Sequence, residues 1–248
     1  MLAALRRGDA KTLAELMRQD PGFNVNLVLD EYGWTLLHEA CNGDSRSAVI
    51  PLLLAHPDID VNLKDSYGRT PFDLACSGRT SCVREMLKDS KVKPNEPKND
   101  GLTPLYRAAY CGHLDVIKWW VASGREMDLG TPEDVNQTDS IGWAKKRGQT
   151  EVVTLLERFK SDASKTRHAM RLELRWYDGA AEIFALVVFV SDGLLKITTT
   201  PAARFFKIAE QLPLELQMVL SFRLVGSARE IISGKDSEMA FRLLAKRI

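Results

Sequence analysis

Cysteine is scarce in this chain, four in 248 residues, and Cys41, Cys76, Cys82 and Cys111 form no CxxC pair. A disulfide scaffold and a zinc knuckle are both excluded by that spacing. Net charge is also nearly absent, at +1, with only a mild basic excess after residue 166. No global field draws the chain to nucleic acid or to an anionic membrane, so neither is an expected partner. Long apolar runs are missing too. The longest, Ile183-Phe-Ala-Leu-Val-Val-Phe-Val190, is far short of the ~20 residues a spanning helix needs. The N-terminus lacks the apolar core of a leader peptide, and Ala-Lys-Arg-Ile248 carries no lipidation or retrieval signal. The expected location is the cytoplasm, with the nucleus as the other option. Phosphate-binding glycine loops, serine nucleophile elbows and paired-carboxylate motifs are lacking as well, so no enzyme, cofactor or metal is expected.

What the chain has is repetition. Tyr32-Gly-Trp-Thr-Leu-Leu-His-Glu-Ala40 returns as Tyr67-Gly-Arg-Thr-Pro-Phe-Asp-Leu-Ala75 and as Asp100-Gly-Leu-Thr-Pro-Leu-Tyr-Arg-Ala108. Gly33, Gly68 and Gly101 are 35 and 33 residues apart, and Asn26, Asn62 and Asn95 precede them by seven, six and six. An apolar stripe follows each block, Val49/Leu52/Leu53, Val83/Met86/Leu87 and Val116/Ile117/Trp120/Val121, at helical spacing. The glycines suit tight turns with positive φ. Thr35, Thr70 and Thr103 suit helix caps, and Pro71 and Pro104 suit the first helical position. Leu37, Phe72 and Leu105, with Ala40, Ala75 and Ala108, form the buried side of that helix. No such unit buries much alone, so the units must stack.

A period near 33 carrying G-x-T-P-L-x-x-A resembles the ankyrin-repeat family over residues 1–160. The resemblance implies an all-α solenoid of about five helix-hairpin units, followed by an α-helical C-terminal region at 161–248. Residues 2–19 read as a first helix pair without a hairpin, and 138–159 as a last pair whose hairpin is nearly gone. Lys160-Ser-Asp-Ala-Ser-Lys165 reads as a hinge or a frayed end. Further helices are expected near 167–175, 179–191, 202–211, 213–225 and 236–247. Leu212-Pro-Leu-Glu-Leu and Phe241-Arg-Leu-Leu-Ala245 resemble the two ends of an F-box, an arrangement similar to that of certain poxviral ankyrin proteins. That resemblance would turn Leu214, Leu216, Met218, Val219 and Leu220 toward the adaptor subunit of a cullin–RING ubiquitin ligase. Alternatively, 166–248 caps the apolar end of the solenoid or covers its groove.

The family's concave face implies a protein partner, held by a monomer acting as a scaffold or adaptor. The residues expected there are Tyr32, Trp34, Tyr67, Arg69, Asp100 and Leu102 beside the turns. Glu39, Asn42, Asp73, Ser77, Arg107 and Tyr110 are expected as the exposed positions of the inner helices. Tyr, Trp and Arg are the types enriched in binding hot spots. The turn aromatics could instead pack on the next hairpin. His38 is expected to hydrogen-bond a neighbouring turn, as in the family. Cys41 and Cys76 read as small buried thiols. Of Trp119 and Trp120, one should face the core and one the solvent. Lys145-Lys-Arg147 suits a helix C-terminus and is too short for a nuclear signal or a nucleic-acid patch.

Overall fold

The computed structural model describes residues 1–20, 22–130 and 139–175. The chain divides into two compact units, Met1–Met170 and Arg171–Ile248. The first is built from helices alone, with no strand among the described residues. They are α1 Leu2–Arg6, α2 Ala10–Gln19, α3 Leu36–Cys41, α4 Ile50–Leu54, α5 Pro71–Ala75, α6 Thr80–Met86, α7 Pro104–Cys111, α8 Leu114–Ser123, α9 Ser140–Lys146 and α10 Thr150–Ser161. α11, Ala163–Glu173, crosses into the second unit. The expected helices beyond residue 175 and the F-box-like segment at 212–245 lie outside the described residues.

The starts of α3, α5, α7 and α9 follow from their capping residues. The Thr35, Thr70 and Thr103 hydroxyls accept the N–H of His38, Asp73 and Tyr106, and Pro71 and Pro104 open their helices. In α9 the cap changes type: Asp139 accepts from the N–H of Ile141 and Gly142. One expected outer helix is split. Pro51 cannot donate to a carbonyl four residues back, so Asp44–Val49 winds as a 3-10 helix and α4 begins after it. At Lys160–Lys165, expected as a hinge or a frayed end, α10 stops at Ser161 and α11 starts at Ala163. The segment is helical except at Asp162, whose carboxylate takes the N–H of Lys165 in the first turn of α11.

Five helix pairs result, and each packs on its neighbours in the array. α1, α3, α5, α7 and α9 form an inner row; α2, the Asp44–Val49/α4 segment, α6, α8 and α10 form an outer row. Between the rows lie Leu5, Leu37, Leu53, Phe72, Met86, Leu105, Ile117 and Trp120, all at most 1% exposed. Each contributes about 1.5–3 kcal/mol of apolar transfer. Phe72 meets Trp120 edge to face at 5.0 Å. Ala40, Ala75 and Ala108 are fully buried, which lets the inner helices approach.

The asparagines noted in the sequence bind repeat to repeat. Asn26 donates to the Asp58 carbonyl at 2.7 Å and accepts the Asp60 N–H at 3.0 Å. Asn62 does the same with the Lys91 carbonyl at 2.9 Å and the Lys93 N–H at 2.9 Å. Asn95 accepts the Asp128 N–H at 3.0 Å. At Asn26 and Asn62 a short amide makes two bonds in opposite senses across the boundary, so one residue fixes the spacing of two loops.

Candidate protein-binding surface

The turns between repeats form a row of tips. Gly33, Gly68 and Gly101 hold φ of +80°, +77° and +81°, a region costly for other residues. Asp30 Oδ1 accepts the N–H of Tyr32 and Trp34, and Asp65 Oδ1 accepts those of Tyr67 and Arg69, all at 2.9–3.0 Å. The tips then join: Ser66 N–H donates to the Tyr32 carbonyl at 2.8 Å, and Asn99 N–H to the Tyr67 carbonyl at 3.1 Å.

On this frame the rings of Tyr32 and Tyr67 stack at 6.3 Å and 18°, yet stay 48% and 53% exposed. Arg69 lies beneath, with its guanidinium 4.7 Å from the Tyr67 ring and 5.9 Å from that of Trp34. Two of its nitrogens reach Asp65 Oδ2 at 2.7 Å. That charge holds the Asp65 carboxyl below its ordinary range against the opposing effect of burial. Arg69 is therefore a strut for the tip, and Trp34 is half-buried against it. The packing expected of turn aromatics is real, and it leaves both tyrosines about half exposed. Leu102 occupies the matching position of the third tip, half-buried, its N–H bound to Asp100.

Two inner-helix residues are not exposed as expected. Glu39 is 7% exposed because Arg6 Nε at 2.8 Å and Arg46 Nη1 at 2.9 Å close over its carboxylate. Asp73 is 1% exposed because it stands three residues after its cap, where His38 stands after Thr35, inside the stack. Counting from the caps puts Leu74, not Asp73, in the row of Glu39 and Arg107. Asn42, Ser77 and Tyr110 do share a row and are half-buried. Arg107 bridges inward, 3.1 Å from Asp73 Oδ2 and 3.2 Å from the Ser77 hydroxyl. No hydrogen bond of good geometry reaches either Asp73 oxygen. Burial pushes the Asp73 carboxyl up, and the Arg107 charge offsets only part of this.

His38 links turns as the family resemblance implied. Its Nδ1 accepts the Thr35 N–H at 3.2 Å, so Nε2 carries the proton and donates to the Arg69 carbonyl at 3.1 Å. Burial holds its pKa below the ordinary value. Cys41, Cys76 and Cys82 are buried free thiols. Desolvation lifts Cys41 and Cys76 far up and Cys82 to about 12, which suppresses the nucleophilic thiolate. Cys111 is exposed. Trp120 is fully buried, its indole N–H on the Glu126 carbonyl at 3.1 Å, while Trp119 is half-buried with Arg84 5.4 Å above its ring.

The sequence reading missed Tyr106 and Trp143, and gave Lys146 and Arg147 only as part of a basic cluster at a helix end. Tyr106 and Tyr110 stack at 5.8 Å, and Trp143 lies 6.0 Å from each. Alignment of the Thr103 and Asp139 caps was the available signal: it sets Trp143 in the row of Arg107 and Lys146 in the row of Tyr110.

Stacked helix pairs joined through their turns define an α-solenoid, a class of binding scaffold. Its family is specific. The ankyrin-repeat (3 copies) model matches residues 1–98, and the ankyrin-repeat (many copies) model matches residues 77–121. The chain is an ankyrin-repeat protein. It is similar to SMC5-SMC6 complex localization factor protein 1 of Bos taurus, 40% identical over 93 residues, covering 37% of this chain and 9% of that protein. It is also similar to the mouse serine/threonine-protein kinase TNNI3K, 28% identical over 142 residues, covering 54% of this chain and 17% of the kinase. The putative ankyrin repeat protein FPV031 of fowlpox virus is 30% identical over 130 residues, covering 50% of this chain and 37% of the viral protein. The chain thus spans a minor part of each relative's length. Nothing found supports an F-box segment at 212–245. Among the described residues no helix is long and apolar enough to cross a membrane.

Proposed function

We propose that this chain is a non-enzymatic protein-binding module, holding a polypeptide segment along its tips and inner-helix face. Ankyrin repeats imply protein partners in general; the choice of face is the finer step. What carries it is the Tyr32–Tyr67 stack. Two large rings stack on each other, Tyr67 also held by Arg69, and both remain about half exposed, so a partner gains area with little ordering cost. Action by binding rather than catalysis is supported by the chemistry of the buried groups. His38 is committed to two backbone partners, and the buried thiols are held in their protonated form. No observation favours the ubiquitin-ligase adaptor reading over this one.

The test is selection of a displayed peptide library on the immobilised full chain. Tyr32→Ala/Tyr67→Ala should lower recovery of selected peptides about tenfold while the melting temperature moves by no more than about 2 °C. Failure to enrich any peptide over the bare support, or recovery unchanged in the double variant, would reject the reading.

A further inference from the structure

Away from the tips, the last two inner helices carry a patch of different chemistry. Tyr106, Tyr110 and Trp143 form one half-buried ring cluster across α7 and α9. Lys146 Nζ sits 4.3 Å from the Trp143 ring centroid, and the Arg147 guanidinium sits 4.6 Å from that of Tyr110. Both cations are exposed, and neither forms an ion pair among the described residues.

A ring face attracts a cation but does not neutralise it. The quadrupole holds the charge in place and leaves it available to a counter-ion. The rest of the inner face supplies none. Of the nearby carboxylates, Glu39 and Asp73 are buried and already paired with Arg6, Arg46 and Arg107, and Asp100, close enough to act on Tyr106, is paired with Lys98. Arg79, at the start of α6 beside this face, is a further cation that binds the Asn42 and Ser77 carbonyls and no carboxylate among the described residues. The inner face therefore carries surplus positive charge in a chain whose overall charge is +1. The aromatic floor adds apolar area and lowers the local dielectric, which strengthens attraction to an incoming anion.

We propose that Tyr106, Tyr110, Trp143, Lys146 and Arg147 dock an acidic polypeptide segment, whose carboxylates meet Lys146 and Arg147 and whose stem lies on the rings. This rests on the protein-binding reading and names the chemistry of the partner. A peptide fits better than single-stranded nucleic acid. Base recognition needs open ring faces, whereas Tyr110 is already stacked by Tyr106 and capped by Arg147, and Trp143 is capped by Lys146.

The experiment is fluorescence anisotropy with the full chain and three labelled probes: a short peptide of alternating Glu and Ser, its Lys-for-Glu counterpart, and an oligothymidylate. The Glu peptide should bind tightest, and raising salt should weaken it. Lys146→Glu/Arg147→Glu should weaken it at least about tenfold, and Lys146→Gln/Arg147→Gln by less. Both side chains are exposed at a helix end, so circular dichroism should report retained helix; if the reversal variant unfolds, the Gln variant decides. The proposal falls if the Glu peptide binds no better than the Lys peptide, or if its affinity ignores both variants. It falls equally if the oligothymidylate binds tightest and is lost in the same variants, which would make the patch a nucleic-acid site. Peptides selected on the full chain that depend on Tyr32 and Tyr67 but not on Lys146 and Arg147 would overturn this inference alone and leave the general reading standing.

Discussion

Asp73 Oδ2 lies 3.1 Å from Arg107 Nη2 across the boundary between the third and fourth helix pairs, with the Asp73 side chain only 2% exposed. Removing one member of a buried ion pair strands the other. Arg107→Ala should destabilise the array by about 3 kcal/mol. Asp73→Asn should cost far less, because the partly exposed Arg107 can rehydrate. Thermal melts of the two variants at neutral pH check this; equal losses would contradict it.

The same carboxyl makes stability depend on pH in an unusual sense. Its folded pKa is raised above 3.8, so the folded state holds the proton more tightly than the unfolded state. That contribution is complete below 3.8 and is lost as pH rises through the folded value. Asp73→Asn should therefore flatten the part of the stability profile just above pH 3.8. A denaturant midpoint series against pH measures it, and an unchanged slope would refute the linkage.

His38 acts in the other direction. Its pKa lies below 6.5 in the fold, so the unfolded chain binds a proton first as pH falls. The stability it gives is present above 6.5 and is lost as pH falls toward the folded value. His38→Gln should lower stability at neutral pH and reduce the decline on mild acidification. Parallel melts of both proteins just above and well below that value are the measurement.

Two equivalent glycines should respond unequally. Gly33→Ala and Gly68→Ala both place a side chain at positive φ, costing about 1 kcal/mol. At Gly68 the added Cβ would also fall 2.3 Å from Asn99 Oδ1 and 2.6 Å from its backbone nitrogen, whereas at Gly33 the nearest atom is 3.4 Å away. Gly68→Ala should be the more damaging by a further ~1 kcal/mol or more. Equal melting temperatures would be inconsistent with the tip-to-tip contact.

The adjacent tryptophans divide similarly. Trp120→Ala should cost about 3–5 kcal/mol, since a fully buried ring is removed from the core. Trp119→Ala should cost less, about 1–2 kcal/mol, since its ring is only half-buried. Urea denaturation of both variants distinguishes them.

The array was legible because its determinants are local and repeated. Gly33, Gly68 and Gly101 fix the turns, the threonines fix the helix starts, and a shared period reports stacking without any knowledge of contacts. The surface was less so. Tyr32 and Tyr67 are exposed as expected, but whether an inner-helix side chain faces out depends on what its neighbours bring. Glu39 is covered by arginines from two other segments, one of them 33 positions away. Asp73 was assigned one residue out of register: it is the one polar residue of Pro-Phe-Asp-Leu, yet counting from Thr70 places it with His38 inside the stack. Trp143 went unseen, and Lys146 was read only as part of a helix-end basic cluster, since their repeat has lost its turn motif and the Asp139 cap is what places them in the rows.

The paired bonds of Asn26 and Asn62 restrict how such an array can change length. Cutting the chain between boundaries leaves a carbonyl and an N–H facing a missing amide, with nothing but solvent to replace it. Splicing out a whole period rejoins like with like. Duplication or deletion is thus tolerated in steps of one full module, and a fraction of a module leaves the joint open.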